Sequence, residues 1–290
     1  MAINKNSNAY IIIYTVVMVV IVGALLAILA TSLKDRQEVE VQKEQKFSIM
    51  RVLGVANEDS DKDQMVELFK KDVTIAWIEK GEYTPVTGNK AEEKAVFDRL
   101  GNRKELREVT DKLPIFQQGD TYVIPMAGKG LWDDIWGFIA LQKTEDGTNY
   151  KVSDIVMDHK GETPGLGAEI ATAAVQDKFI GMTLFDAEDN IAVQMLKGGM
   201  AHKSAVEGST VDAISGGTKT CDGVNKMIKD SIGKYAAFLK AQLGATTPAE
   251  VEAPVEVEAP VEGETPAEET VTEDTVAEDV NVESNNGKEE

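Results

Sequence analysis

One cysteine, Cys221, and two histidines, His159 and His202, are all that 290 residues offer in soft metal ligands. A lone cysteine excludes an internal disulfide and any multi-cysteine zinc or iron–sulfur site within the chain. So few histidines leave no basis for a histidine-rich centre, and no protein-ligated metal is expected. Basic clusters with interleaved aromatics are absent, which argues against nucleic-acid binding. No paired general acid and base stands out, so no catalytic residue is assigned. Aromatic residues are missing altogether from Gly244 to Glu290.

That last segment repeats short Val-Glu-Ala-Pro phrases and holds fifteen acidic side chains against one lysine. It carries −14 of the chain's net −20, so the body is only mildly acidic. It buries too little apolar area to offset the entropy of ordering, and 244–290 is expected to be a disordered acidic tail with no assigned role.

From Tyr10 to Ala30 every residue is apolar or small, and no charge falls between Lys5 and Lys34. About twenty such residues cross a hydrocarbon layer roughly 30 Å thick. Signal-peptide cores run shorter, about 7–15 residues, and no convincing small-x-small cleavage site follows, so the reading is an uncleaved anchor at 10–33 after a short segment 1–9. Its interior has no ionisable residue to suggest an ion path. Lys34, Arg36, Lys43 and Lys46 follow the span and Lys5 precedes it, a weak bias toward a cytoplasmic body. Long domains often translocate regardless of such charge, so orientation stays open at this point.

Residues 34–243 form the one folded domain. A charged helix is expected from Lys34 to Val55, with Phe47, Met50 and Leu53 at helical spacing. Val73–Ile78, Thr121–Ile124, Trp136–Leu141 and Tyr150–Met157 are β-branched or aromatic runs suited to strands. Ala168–Phe179 reads as a helix with Ile170, Ala174, Val175 and Phe179 on one side. Val224, Met227, Ile228, Ile232, Tyr235 and Leu239 make a second helical stripe. Without a regular βαβ alternation, the class is α+β around a largely antiparallel sheet.

Three glycine-bearing segments could carry chemistry. Gly128–Gly137 sets Trp132 and Trp136 four residues apart; they either pack a core or wall a planar ring. His159–Ala168 contains Gly165-Leu166-Gly167 ahead of the expected helix, where backbone N–H groups could approach a phosphate or simply form a turn capped by Thr163 or Glu162. His159 itself reads as a surface or satisfied histidine. Ser215-Gly216-Gly217-Thr218-Lys219-Thr220 opens the last helix, either as a nest of donors or as a plain cap by Thr218 or Thr220. Cys221 beside it reads as a small buried side chain.

Together these segments resemble the C subunits of sodium-translocating NADH:quinone reductases, within the FMN-binding domain family. The phrases carrying the resemblance are Leu33-Lys-Asp-Arg-Gln37 with Lys43 and Gln45, Gly130-Leu-Trp132, Glu162-Thr-Pro-Gly-Leu-Gly-Ala-Glu169 and Asp212-x-x-Ser-Gly-Gly-Thr218, in order from the anchor through Leu243. The resemblance implies FMN joined through its phosphate to the Thr218 hydroxyl by a flavin transferase whose recognition motif includes Asp212. Ser215, Gly216, Gly217 and Lys219 would surround the phosphodiester; Glu162, Thr163, Gly165, Leu166, Gly167 and Trp132 would neighbour the flavin. One departure is Gly217, where the family usually has alanine.

The resemblance further implies an electron relay coupled to sodium export, working only within its complex and serving ubiquinone or menaquinone. Its partners would be the other subunits, including a second covalent-flavin membrane protein. The domain would face the periplasm from the bacterial inner membrane. The G subunit of the Rnf ferredoxin:NAD complex shares the flavin motif and remains an alternative. So do a free-standing extracytoplasmic flavin carrier and a non-redox membrane-tethered adaptor.

Overall fold

The computed structural model describes residues 8–57, 59–200 and 208–244. His202, the expected N-terminal segment up to residue 7 and the expected tail from 245 onward lie outside them.

Helix α1 runs unbroken from Asn8 to Val52. Its apolar part, Asn8–Lys34, is 27 residues long. At 1.5 Å per residue that is about 40 Å, long and apolar enough to cross a membrane. The hydroxyls of Thr15 and Thr31 donate to the carbonyls of Ile11 and Ala27, 2.8 Å each, so these polar groups are satisfied within the helix. The helix does not stop at the charged residues. It continues into the domain, where Phe47, Ile49, Met50 and Val52 are buried. It ends where Gly54 adopts φ +72° and donates its N–H to the Arg51 carbonyl.

Six strands form one fully antiparallel sheet in the order β2-β1-β3-β4-β5-β6. They are β1 (Thr74–Glu79), β2 (Glu82–Pro85), β3 (Lys112–Gln118), β4 (Thr121–Lys129), β5 (Asp134–Lys143) and β6 (Tyr150–His159). Side chains alternate between two cores because successive residues of a strand point to opposite faces. In β4, Tyr122, Ile124 and Met126 enter one core, while Val123 and Ala127 enter the other. With both faces covered, the strands read as continuous apolar runs.

The first face is covered by α2 (Lys62–Asp72), α3 (Lys90–Gly101), α4 (Arg103–Glu108) and the end of α1. Asp61 and Asn89 cap α2 and α3 by accepting from their first N–H groups. Phe69, Phe97 and Phe116 pack edge-on or tilted with centroids 6.0–6.1 Å apart. The Lys46 ammonium sits 4.8 Å from the Phe97 centroid and 2.9 Å from Glu93 Oε1, fastening α1 to α3. None of these three helices was expected from the sequence.

The second face is covered by α6 (Thr218–Gly233) and α7 (Ala236–Gly244) together with the segment 167–193. Two expectations need correction here. Residues 168–179 are not one helix. They form a 3-10 turn at Gly167–Ala171, the four-residue α5 (Ala173–Gln176) and a second 3-10 turn at Asp177–Phe179. Thr172 is extended at φ −92°, ψ 146°, which breaks the helix, and Ala174 is exposed while Ile170, Val175 and Phe179 are buried as expected. The last stripe likewise divides after Gly233, where Tyr235 turns inward and donates its hydroxyl to the Pro114 carbonyl at 2.7 Å.

A short parallel pair, β7 (Gln194–Leu196) and β8 (Thr210–Asp212), completes the fold. Asn225 of α6 accepts from the N–H of Met195 and donates to its carbonyl, both at 2.7 Å, locking β7 to α6. β8 thereby delivers Asp212 just ahead of the Ser215–Thr218 loop.

Candidate functional site

The three glycine-bearing segments, distant in sequence, meet at the end of the sheet where β4 and β5 turn into one another. Their meeting point is Glu162, whose side chain is buried. Its Oε1 accepts from the N–H of Trp132 at 2.9 Å, and its Oε2 accepts from the Thr220 hydroxyl at 2.6 Å. Burial pushes this carboxyl up. Donation from the Thr220 hydroxyl and the N–H groups of Trp132, Asp133 and Leu131 outweighs that and holds it below its ordinary value. In the fold Glu162 is the internal clamp of the site.

Two glycines make room for that clamp. A Cβ on Gly130 would collide with Glu162 Oε1, and one on Gly167 would meet Thr220 Oγ1 and Glu162 Oε2. His159 contributes from the other side: its Nδ1 accepts from the Glu162 N–H at 3.2 Å. It is a satisfied structural histidine, as expected.

Thr218 is the first residue of α6 and is exposed. The helix is capped by Gly217, and among the described residues no side chain accepts from its first N–H groups. Neither threonine is the cap: Thr220 turns its hydroxyl down to Glu162. The opening turn of α6 therefore presents the Thr218 hydroxyl together with free N–H groups and the positive end of the helix dipole. Gly216 has φ +75°, and a Cβ there would strike Leu166 Cδ2. Gly217 has φ −101°, a conformation open to alanine, with an added Cβ 3.2 Å from Ile214. The departure at this position is therefore mild.

Around Thr218 stand exposed apolar groups. Trp132 is 69% exposed and donates its Nε1–H to the Thr163 hydroxyl at 3.2 Å; Leu166 lies against Gly216. Trp132 is thus open to solvent, whereas Trp136 is half-buried on β5. Gly165, at φ +75°, donates its N–H to Glu169 Oε1 at 3.1 Å, so this loop's own donors are partly spent internally. It opens only a short 3-10 turn, not the helix expected, and contributes little dipole. Ser215 is exposed on the loop. Lys219 is exposed with its Nζ 3.5 Å from Asp222. Asp212 Oδ1 accepts from the Gly199 N–H at 2.8 Å. Cys221 is buried, and burial raises its thiol, in keeping with a structural side chain.

Thr220 is the residue that sequence reasoning missed as a partner. Its signal was its position two residues after Thr218, on the inward side of a helix start. No group of acidic, cysteine or histidine side chains suited to a metal occurs among the described residues.

The family model for an FMN-binding domain matches residues 130–233, which include these segments apart from Gly128 and Lys129. The chain is 29% identical over 268 residues to the C subunit of the Na(+)-translocating NADH-quinone reductase of Haemophilus ducreyi, covering 83% of this chain and 98% of that relative. It is 31% identical over 219 residues to the corresponding C subunit of Vibrio campbellii, covering 67% and 79%. The crystal structure of the C subunit from Parabacteroides distasonis superposes with a TM-score of 0.54 at 24% identity, covering 73% of this chain and 96% of that one, and so shares the fold. The chain belongs to the family of Na(+)-translocating NADH-quinone reductase C subunits.

Proposed function

We propose that this chain is the electron-relay subunit of a sodium-exporting NADH:quinone reductase, carrying FMN joined through its phosphate to the Thr218 hydroxyl. The observation that carries the reading is the start of α6: an exposed threonine hydroxyl on a glycine-capped, otherwise uncapped helix N-terminus. A phosphodiester there would keep one negative charge, which the free N–H groups and the helix dipole stabilise. Bound FMN supplies one- and two-electron redox chemistry, while the protein supplies position and electrostatics.

The chain's own residues fit such a group. Gly216 leaves the space that Leu166 occupies, and Trp132 presents an open aromatic face pinned through Thr163. A tether keeps a redox group at permanently high local concentration where no pool replaces it. Asp212 would serve recognition by the transferase and Lys219 would add positive charge near the phosphate. α1 would anchor the domain in the inner membrane, and its continuation into the core at Ile49–Val52 suits a retained anchor. The domain would face the periplasm, with the other subunits, including a second covalent-flavin subunit, as electron partners.

The test is an ultraviolet-illuminated gel of acid-denatured protein coexpressed with a flavin transferase. Wild type should fluoresce and Thr218→Ala should be dark; a dark wild-type band overturns the reading. Alkaline phosphatase fused after Leu243 should be active, and an inactive fusion contradicts the orientation.

A further inference from the structure

On the opposite face of the sheet, a cavity of about 440 Å³ lies between α1, the junction of α3 and α4, and strands β4 to β6. Its volume falls in the range of small-molecule sites. One wall is a polar stripe of α1, formed by Gln45, Ser48 and Arg51 at helical spacing. Phe138, Pro125 and Leu100 supply the apolar part.

Arg103, on the second wall, stacks its guanidinium 3.4 Å from the centroid of the Trp136 ring. That contact fixes the plane of the fork. Among the described residues its Nε is buried without a hydrogen-bond partner, and so is Gln45 Oε1 on the facing wall. Among the described residues, Arg103 and Arg51 form no ion pair. Asp134, the carboxylate that acts on Arg103 from β5, is held by Lys129 and Arg107 at 2.8 and 2.9 Å. Burial lowers the Arg103 guanidinium from its ordinary value, the mark of a cation short of solvent, and Asp134 and Asp158 offset that only in part.

The charges on the cavity wall select the ligand. Glu44 is neutralised by its ion pair with Lys62, and Asp158 acts on Arg103 and Asp154 on Arg51. The wall is therefore close to charge balance, which accommodates a monoanion better than a dianion. A planar fork lying on an aromatic ring favours an oxyanion in its own plane.

We propose that this cavity binds a monocarboxylate with an apolar body, its oxyanion on Arg103 within the field of Arg51 and its body against Phe138 and Leu100. The site is separate from the Thr218 loop and does not depend on the flavin reading. It needs no chemistry beyond binding.

Titration calorimetry on the full chain in detergent tests this with benzoate, octanoate and inorganic phosphate as probes. A carboxylate probe should bind saturably and phosphate should not; benzoate over octanoate would assign an aromatic body, and the reverse an alkyl one. Arg103→Gln should weaken binding at least about tenfold, the worth of one charge-assisted contact. Arg51→Gln, which leaves the Trp136 stack intact, should weaken it several-fold and guards against mere misfolding of the first variant. No saturation by either carboxylate up to about 10 mM, a standard free energy near −3 kcal/mol, overturns the proposal. So does equal binding of phosphate, or wild-type affinity in either variant.

Discussion

The Glu162 carboxylate and the Thr220 hydroxyl, 58 positions apart in the chain, meet at 2.6 Å inside the start of α6. The same carboxylate holds the N–H of Trp132 at 2.9 Å, so one buried group ties the aromatic wall to the helix that presents Thr218. Among the described residues its charge is balanced by donors and not by a cation, which makes each donor costly to remove.

Thr220→Val keeps the shape and removes one donor from a buried carboxylate. The cost should be about 1.5–3 kcal/mol, the worth of a hydrogen bond to a charged group. Thermal unfolding of the variant should come several degrees lower, with Thr218 modified more slowly. An unchanged Tm would mean that the Glu162 contact contributes nothing to the cradle.

Gly216 and Gly217 should respond differently to alanine. At Gly216 the backbone is left-handed, φ +75°, and a Cβ strikes Leu166, so Gly216→Ala should cost about 1–2 kcal/mol or more and distort the loop. At Gly217, φ −101° accepts alanine and a shift of a few tenths of an ångström at Ile214 makes room. Flavin incorporation measured at 450 nm should therefore fall in Gly216→Ala and persist in Gly217→Ala. The reverse order would contradict the loop geometry.

Glu162 also predicts a dependence on acid. Its folded carboxyl lies below the ordinary value of 4.5. The stabilisation is therefore fully present at neutral pH and is lost as pH falls from that value through the lower folded one. Asp133 and Asp134, also held low, titrate in the same direction, so the diagnostic quantity is a difference. Denaturant unfolding of wild type and Glu162→Gln should show a gap in stability that is constant near pH 7 and closes on acidification. A gap that widens below pH 4.5 would give the shift the wrong sign.

Much of the frame was readable in the chain, for reasons that differ by element. The anchor and strands β1, β4, β5 and β6 announced themselves because long apolar or β-branched runs have few alternatives. β3 did not, since Lys-Leu-Pro-Ile-Phe-Gln-Gln carries a proline and polar ends that read as a loop. Helices α2 to α4 were hidden by charged faces that matter only once Phe69 and Phe97 pack on the sheet. The 167–179 segment had helical spacing, but Thr172 is extended and tertiary packing of Ile170 and Phe179 fixes two 3-10 turns instead. At the site, the three glycine-bearing segments were legible singly as turns and caps. Their convergence was legible only through the family resemblance, because it depends on one buried carboxylate placed by the fold. Thr220, legible only as a cap, is placed by that carboxylate on the inward side of α6.

Mass spectrometry of the peptide spanning Thr218, from protein coexpressed with a flavin transferase, tests the central claim most directly. A mass increase of FMN less one water, localised by fragmentation to Thr218, is the predicted result. An unmodified Thr218, or the same increase on Ser215 or Thr220, would contradict it.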